Sequence, residues 1–290
     1  MTPHDVEPLT PARLRSWPLP SPGGDKSSRG TVLVIGGSRF TPGAVLLAGT
    51  AALRAGAGKL QLATTESTAA ALSIAVPEAL VMGLPENEAG AARGWADDHL
   101  VDLARAADVV LFGPGLVDVD ETGALLDTVV DEIGADTSLV VDAYALGALA
   151  KRPDLLRGRD RRAVLTPNVG EGAWLLDRDL GDDLDAESGA IAGAYDSVVT
   201  LFGHVAEPGG SSWRDETAEA GLGTSGSGDV LAGLTAGLLA RGAEPAQAAC
   251  WAVHVHAAAG QRLAVERGRT SYLAREIVDG IAPALAALEI

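Results

Sequence analysis

Short apolar runs alternate along most of the chain with longer segments of helical periodicity. β-branched runs bounded by glycine or proline predict buried strands at 31–36, 59–65, 79–83, 108–113, 138–142, 163–166 and 197–202. Helical patterns lie between them at 41–54, 97–105, 121–133 and 171–176, and residues 211–214 are predicted to return as a hairpin beside the last strand. From Gly228 the pattern is almost wholly helical, with new helices opening at Pro245 and Ser271. This alternation predicts a central, mostly parallel sheet with helices on both faces.

The pattern contains no linker and no internal repeat between residues 31 and 290, so we expect one α/β domain there. Residues 1–30 are rich in proline, serine and glycine and predict an N-terminal arm. Hydrophobic residues make up 47% of the 290 and charged residues 21%. These proportions are typical of a globular protein and exclude a disordered chain.

The formal net charge is −17, which disfavours nucleic acid and anionic membranes as partners. An anionic ligand would therefore have to be held by local backbone N–H groups. The single cysteine, Cys250, excludes an internal disulfide framework and a cysteine-based metal site. No secretory signal and no long uncharged apolar span is visible, so we expect a cytoplasmic protein.

The segment 221–229 reads GLGTSGSGD and leads directly into an apolar helix. Glycines allow the backbone to approach a ligand closely, and the first turn of a helix offers unpaired N–H groups and a partial positive charge. Together they predict an anion site, most naturally for phosphate. Asp229, at the junction, could act as a base on a hydroxyl beside that phosphate. The structural alternative is a plain turn with a helix-capping carboxylate.

Residues 221–226 also match the pattern G-x-G-x-x-G of dinucleotide-binding folds. That motif should follow a strand and open a β-α-β unit, whereas residues 213–220 are polar and acidic and only helix follows. We therefore reject a dinucleotide fingerprint, and the chain has no G-x-x-x-x-G-K-[ST] phosphate loop. Active residues in parallel sheets collect at the carboxyl ends of strands. Candidates at such ends are found at 36–39, 113–115, Asp142, 166–168 and 203–204.

Several blocks, in this order along the chain, resemble the ADP/ATP-dependent NAD(P)H-hydrate dehydratases, which have a ribokinase-like fold. The blocks are VLVIGGS at 32–38, TPGA at 41–44, AALRAGAG at 51–58, PE at 77–78, GPG at 113–115, VVDAYAL at 140–146, LTPNVGE at 165–171 and GSGDVLAG at 226–233. The glycine–aspartate loop alone would fit any ribokinase-like kinase. The blocks at 51–58 and 165–171 favour the dehydratase branch.

The resemblance implies a repair reaction. The added hydroxyl of (S)-NAD(P)H hydrate is phosphorylated by ADP or ATP with Mg²⁺, phosphate then leaves, and the reduced nicotinamide is restored. Asp229 is implied as the base, and a homo-oligomer such as a tetramer is implied as the assembly. The other implied site residues are Gly226, Ser227 and Gly228 in the anion hole; Ala44, Gly115 and Asn168, with Asp229, in the hydrate pocket; Phe202, Gly203, His204, Val205, Ala206 and Gly228 beside the nucleotide; and Glu171 near Mg²⁺ through water.

Three residues depart from the family pattern near the implied site. Phe202 stands where the family has lysine, so a point charge that could meet nucleotide phosphates is missing. Asn168 stands where the family has histidine, and Tyr144 where it has a second aspartate. His254 and His256 lie two apart on a predicted helix and therefore face different sides, which argues against a metal pair.

Two other functions remain open from the sequence. A ribokinase-like kinase of a small hydroxylated metabolite would release a stable phosphorylated product. A nucleotide-binding relative that has lost turnover would bind adenine nucleotide or NAD(P)H without consuming it. The intact loop at 226–229 argues against the second of these, because a binder has no need of the base.

Overall fold

A computed structural model describes residues 6–21, 23–158, 162–217 and 220–289. Ten strands form one sheet: β1 (Glu7–Pro8), β2 (Thr31–Ile35), β3 (Lys59–Thr65), β4 (Ala79–Leu84), β5 (Val109–Phe112), β6 (Ser138–Val141), β7 (Ala163–Leu165), β8 (Val198–Leu201), β9 (His204–Ala206) and β10 (Ser212–Arg214). The helices are α1 (Pro11–Arg15), α2 (Pro42–Ala55), α3 (Glu66–Ala75), α4 (Asp98–Ala106), α5 (Val119–Glu132), α6 (Tyr144–Ala150), α7 (Val169–Leu176), α8 (Leu184–Tyr195), α9 (Ser227–Ala240), α10 (Pro245–Arg267) and α11 (Ala274–Leu288).

The strand order across the sheet is β1-β10-β9-β8-β7-β6-β5-β2-β3-β4. All neighbouring pairs from β8 across to β4 are parallel, while β9 runs antiparallel to both β8 and β10. The carboxyl ends of β2 to β8 therefore meet at one edge of the sheet. The chain builds outward in one direction from β2 and in the other from β5, so the topological switch point lies between these two strands.

Helices cover both faces of the sheet, as the sequence predicts. Val32 and Val34 of β2 point into one core, with α2, α3, α9, α10 and α11, whereas Leu33 and Ile35 point into the other, with α4 to α8. Because successive residues of a strand face opposite sides, a continuous apolar run fills both cores.

The prediction that residues 211–214 pair with the strand at 197–202 is wrong, because they pair with a strand that was not predicted. The chain reverses immediately after β8 through Phe202 and Gly203, which both have positive φ (50° and 88°), and Leu201 pairs with His204. Two consecutive positive φ angles are typical of the tight two-residue hairpin turn. The new strand β9 takes the place beside β8, and β10 pairs with β9 instead.

Four helices of the structure were not predicted, namely α1, α3, α6 and α8. Their sequences are short or rich in alanine and glycine, as in LDAESGAIAGAY of α8, and carry little apolar periodicity. Tertiary packing rather than local pattern therefore specifies them.

The segment predicted as an N-terminal arm packs on the same core as the domain. Its β1 pairs with β10, Leu14 is fully buried, and Trp17 accepts a hydrogen bond through its carbonyl oxygen from the Trp251 indole at 2.9 Å. None of the helices in the described part of the chain combines the length and the hydropathy that a bilayer crossing requires.

Candidate active site

The switch point between β2 and β5 lies at the carboxyl edge of the sheet, where ligands bind in open α/β folds. The loops after these strands interlock there, because the Gly37 N–H donates to the Pro114 carbonyl at 2.7 Å. A Cβ on Gly115, which has φ of 73°, would lie 2.9 Å from the Cβ of Ala44 and 2.7 Å from the Thr41 carbonyl oxygen. The structure therefore brings Ala44 and Gly115 together at the switch point, and only glycine fits at position 115.

Close packing of α9 on α2 carries the glycine-rich loop to the same edge. A Cβ on Gly233 would lie 2.0 Å from the Ala48 carbonyl oxygen, and one on Gly237 would lie 2.4 Å from the Ala52 carbonyl oxygen. Glycine at these positions lets the two helix backbones approach each other directly. The start of α9 is thereby fixed beside the start of α2, which carries Ala44.

The loop ends at Gly226, whose left-handed conformation (φ 87°) directs the chain into α9. Within the described residues, the backbone N–H groups of Gly226 and Gly228 have no acceptor, whereas the N–H of Ser227 donates to the Thr224 carbonyl at 3.2 Å. Asp229, in the first turn, likewise has an N–H without a protein acceptor in that part of the chain. Unpaired donors at a helix N-terminus favour an anion, and these three belong to the loop and the first helical turn that carry Asp229.

Three carboxyl groups converge at this edge. Burial, followed by the negative charge of Glu171, raises the pKa of Asp229 to about 6. Burial, followed by the charges of Asp229 and Glu171, raises the pKa of Asp142 to about 8. Burial also raises the pKa of Glu171. A half-buried carboxylate with a raised pKa is a suitable acceptor for the proton of a hydroxyl group.

Asn168 and Glu171 form a capping box at the start of α7. The Asn168 side chain accepts from the Glu171 N–H at 3.0 Å, and the Glu171 carboxylate accepts from the Asn168 N–H at 2.9 Å. The cap occupies the side-chain oxygen of Asn168 and leaves its amide hydrogens for a ligand. The cap also places Glu171 beside Asp142, which follows the neighbouring strand β6.

Residues 202–206, which the resemblance places beside the nucleotide, include both buried and exposed side chains. Val205 and Ala206 lie in β9 with their side chains buried in the two cores. Phe202 and Gly203 form the turn at the carboxyl edge, where Phe202 is 67% exposed. His204 Nδ1 lies 2.5 Å from the carboxylate of Asp185 in α8. This pairing directs the imidazole toward α8.

Two buried histidines that sequence reasoning did not assign to the site contact the glycine-rich loop at Ser227 and the chain before it at Asp215. His256 Nε2 lies 3.0 Å from the hydroxyl oxygen of Ser227, and His254 Nδ1 lies 2.5 Å from the carboxylate of Asp215. The two histidines contact different groups, and no cluster of three or more potential metal-binding side chains is present in the described residues. Their sequence signal, two histidines in an apolar helix, does not identify their partners.

Comparisons with known proteins point to one family. A family model described as NAD(P)H-hydrate dehydratase matches residues 32–283. The ADP-dependent (S)-NAD(P)H-hydrate dehydratase of Xanthomonas campestris is 47% identical over 289 residues, covering 96% of this chain and 95% of that protein. The bifunctional NAD(P)H-hydrate repair enzyme Nnr of Moorella thermoacetica is 36% identical over 97% of this chain, which spans only 54% of that relative.

Among solved structures, the ADP/ATP-dependent NAD(P)H-hydrate dehydratase of Bacillus subtilis, co-crystallised with ATP/Mg²⁺, superposes with a TM-score of 0.81. It is 26% identical, and the match covers 98% of this chain and 99% of that one. A ribokinase-like protein of Enterococcus faecalis, at 23% identity and a TM-score of 0.85, shares the fold. The family model, the 47% identity and the ribokinase-like architecture together show that the chain belongs to the NAD(P)H-hydrate dehydratase family.

Proposed function

We propose that this chain dehydrates (S)-NAD(P)H hydrate to NAD(P)H, with ADP or ATP as the phosphoryl donor. The observation that carries the proposal is the half-buried Asp229 among unpaired N–H groups at the switch point of the sheet. The names of the Xanthomonas and Bacillus relatives support both the substrate and the nucleotide.

In the first step, Asp229 accepts the proton of the hydrate hydroxyl as its oxygen attacks the terminal phosphorus of the nucleotide. The N–H groups of Gly226, Gly228 and Asp229 stabilise the charge on the transferred phosphoryl group. Such transfer depends mainly on positioning and on charge stabilisation. In the second step, phosphate leaves together with a proton from the adjacent ring carbon, and the double bond of the reduced nicotinamide is restored.

The acidic edge fits a Mg²⁺ ion held through water and phosphate. Oxygen donors suit this ion, which keeps several of its waters, and the carboxyl groups of Asp142, Glu171 and Asp229 lie close together at this edge. We propose that Glu171 holds the ion through water. When bound, Mg²⁺ would offset the phosphate charges. The capping box keeps the Glu171 carboxylate at this edge.

We also propose that the protein acts as a homo-oligomer. Phe40, Ile74 and Val265 are between 74% and 89% exposed, and an interface that covers them would remove apolar surface from water. Light scattering coupled to size-exclusion chromatography would measure the assembly, and a monomeric mass at micromolar concentration would contradict it.

The deciding experiment follows the absorbance of reduced nicotinamide formed from (S)-NADH hydrate with Mg²⁺ and ADP, with Mg²⁺ and ATP, or with no nucleotide. Recovery that depends on one nucleotide, with an equal amount of phosphate released, supports the dehydratase and identifies the donor. A stable phosphorylated product without absorbance would favour the small-metabolite kinase. Nucleotide binding without any turnover would favour the alternative that this chain binds nucleotide but has lost catalytic activity.

A further inference from the structure

His254 and His256 of α10 have no part in the chemistry proposed above, yet both are buried and both contact the residues that lead into α9. We call residues 215–229 the phosphate segment; the structure describes it at 215–217 and 220–229. We propose that His254 and His256 are positioning residues that fix the two ends of the phosphate segment to α10. They thereby hold the unpaired N–H groups in place for phosphoryl transfer, and this role rests on the proposed function.

His254 fixes the first end. The Asp215 side chain is buried, and its Oδ2 lies 2.5 Å from His254 Nδ1, while its Oδ1 accepts from the Thr217 N–H at 2.7 Å. Burial acts to raise the pKa of Asp215, but the hydrogen bonds from His254 and Thr217 outweigh it, and the pKa is lowered. Asp215 is therefore an ionised carboxylate that depends on the His254 N–H for its charge.

The backbone of Asp215 also contacts the turn after β8. The backbone N–H of Asp215 donates to the Gly203 carbonyl at 2.9 Å. A Cβ on Gly203 would lie 2.8 Å from the Asp215 carbonyl oxygen, so the two backbones are in direct contact. Fixing Asp215 on α10 therefore fixes the Phe202–Gly203 turn, the part of the implied nucleotide site that lies at the surface.

His256 fixes the second end. Its Nε2 lies 3.0 Å from the hydroxyl oxygen of Ser227 and 3.1 Å from the Ser227 carbonyl oxygen. Burial lowers the pKa of His256 to about 4, so the ring is a neutral imidazole near pH 7. It can donate to the carbonyl or accept from the hydroxyl. Ser227 lies between Gly226 and Gly228, so its position determines where their N–H groups point.

Helix geometry explains how one helix reaches both ends. Residues two apart on a helix are separated by about 200° around its axis, so His254 and His256 leave α10 on opposite flanks. Asp215 contacts one flank through His254, and Ser227 contacts the other through His256. Leu222, which lies between Asp215 and Ser227 in sequence, contacts Gly260 of α10. A Cβ on Gly260 would lie 2.7 Å from Leu222 Cδ2. The segment therefore follows the surface of α10 at three separate places.

Donors arranged for a transition state are effective only when they are held in place. A misplacement of about 1 Å can cost about 100-fold in rate. The loop itself is rich in glycine and has little intrinsic stiffness. The two histidines supply rigidity from outside the loop.

The two ring nitrogens in use differ, and this allows a sharp test. The side-chain amide nitrogen of asparagine can take the place of imidazole Nδ1, and that of glutamine the place of Nε2. The matched variants are therefore His254→Asn and His256→Gln, and the mismatched variants are His254→Gln and His256→Asn. The exposed histidine variant His99→Gln is the control. Each variant keeps a polar side chain, which limits the loss of stability.

We expect the matched variants to keep kcat within about 3-fold of the control and the mismatched variants to lose at least 10-fold, with smaller changes in KM for ADP. The thermal midpoint Tm is recorded for each variant, and kcat is measured well below it. A merely structural role would lower Tm and leave kcat of the folded protein unchanged. Mismatched variants with kcat equal to that of the control would overturn the proposal.

A second measurement keeps this test separate from that of the proposed function. Amide hydrogen exchange in the nucleotide-free protein should be at least 10-fold faster at residues 220–228 in the mismatched variants, and unchanged in β5 and β6. Equal exchange at 220–228 in all variants would overturn the positioning role. If the wild type yields no NADH, the proposed function fails, while the exchange result still decides the role of the histidines.

Discussion

At the scale of single residues, the site concentrates negative charge where a proton must be accepted. Asp229, Asp142 and Glu171 lie at the ends of different elements, and each has a raised pKa because burial disfavours its charged form. Of the three, Asp229 is the one that follows the glycine-rich loop, directly after the unpaired N–H groups of Gly226 and Gly228. This position distinguishes the proposed base from the two other carboxyl groups.

Replacing the base tests this assignment directly. We expect Asp229→Asn to lower kcat by at least about 100-fold, because general-base catalysis contributes at least that much. The asparagine keeps the size of the side chain, so ADP binding should change little. Single-turnover rates with (S)-NADH hydrate would measure the effect, and turnover near the wild-type rate would refute the role of Asp229.

The pH dependence of the wild type provides a second test. Because the pKa of Asp229 is raised to about 6, the carboxyl group is protonated below that pH and cannot accept the hydroxyl proton. We therefore expect kcat/KM to fall about 10-fold per pH unit below pH 6, since kcat/KM reports the free enzyme. A profile that stays flat down to pH 4.5 would contradict this prediction.

The raised pKa of Asp142 predicts how the free energy of unfolding depends on pH. Its pKa rises from 3.8 in the unfolded chain to about 8 in the fold, so between these values the folded state binds more protons than the unfolded state. The free energy of unfolding should then fall as pH rises through this window, by at most about 1.4 kcal/mol per pH unit. Asp142→Asn removes the titrating group and should flatten the decline. Urea unfolding from pH 5 to 9 would compare the two proteins, and identical slopes would count against the shift.

At the scale of elements, the contact of α9 with α2 places the loop. Gly233 and Gly237 lie against α2 carbonyl groups at distances that exclude any side chain. The first strands of the sheet place α2, and α2 in turn places α9 over the switch point. The N-terminus of α9 is therefore positioned by helix packing rather than by the loop that precedes it.

A methyl group at this contact should separate the two helices. We expect Gly233→Ala to destabilise the fold by about 1–3 kcal/mol and to lower kcat, because its Cβ would lie 2.0 Å from the Ala48 carbonyl oxygen. Gly189→Ala in α8 is the matched control, since a Cβ there meets nothing within 4 Å. Higher helix propensity should make the control more stable by about 0.5–1 kcal/mol. Equal stability of the two variants would refute the packing argument.

The β8–β9 turn provides the element-scale test of nucleotide binding. Phe202→Lys restores a positive charge at the exposed turn, and we expect it to lower KM for ADP about 5-fold, which corresponds to about 1 kcal/mol of attraction across partly screened distances. Phe202→Met is the uncharged control of similar size. If both variants bind ADP alike, the turn does not contact the phosphates.

At the scale of the whole molecule, one sheet and two cores hold the acidic edge rigid, and the N-terminal segment completes the core that contains α9 and α10. Leu14 is fully buried there, and Trp251 of α10 donates to the Trp17 carbonyl. The stability of α10, and with it the support of the phosphate segment, therefore depends partly on residues far away in sequence.

Truncating one side chain of that segment should show the dependence. We expect Leu14→Ala to cost about 2–5 kcal/mol of folding free energy, the range for a buried leucine. Leu80→Ala, at a half-exposed position of β4, should cost much less. Chemical denaturation of both variants would measure the difference, and a Leu14→Ala loss below that of Leu80→Ala would show that the segment contributes little to the core.

The sequence by itself determined the α/β architecture, because apolar runs such as 31–36 and 108–113 are local signals that buried parallel strands require. It also identified the glycine-rich loop, its aspartate and the family. Only the tertiary structure decided which residues meet across long sequence distances. The pairing of Asp215 with His254, the support of Ser227 by His256 and the insertion of β9 beside β8 depend on packing and on one turn with positive φ. Such contacts leave no periodic signal in the chain, since each joins residues that local propensity treats independently.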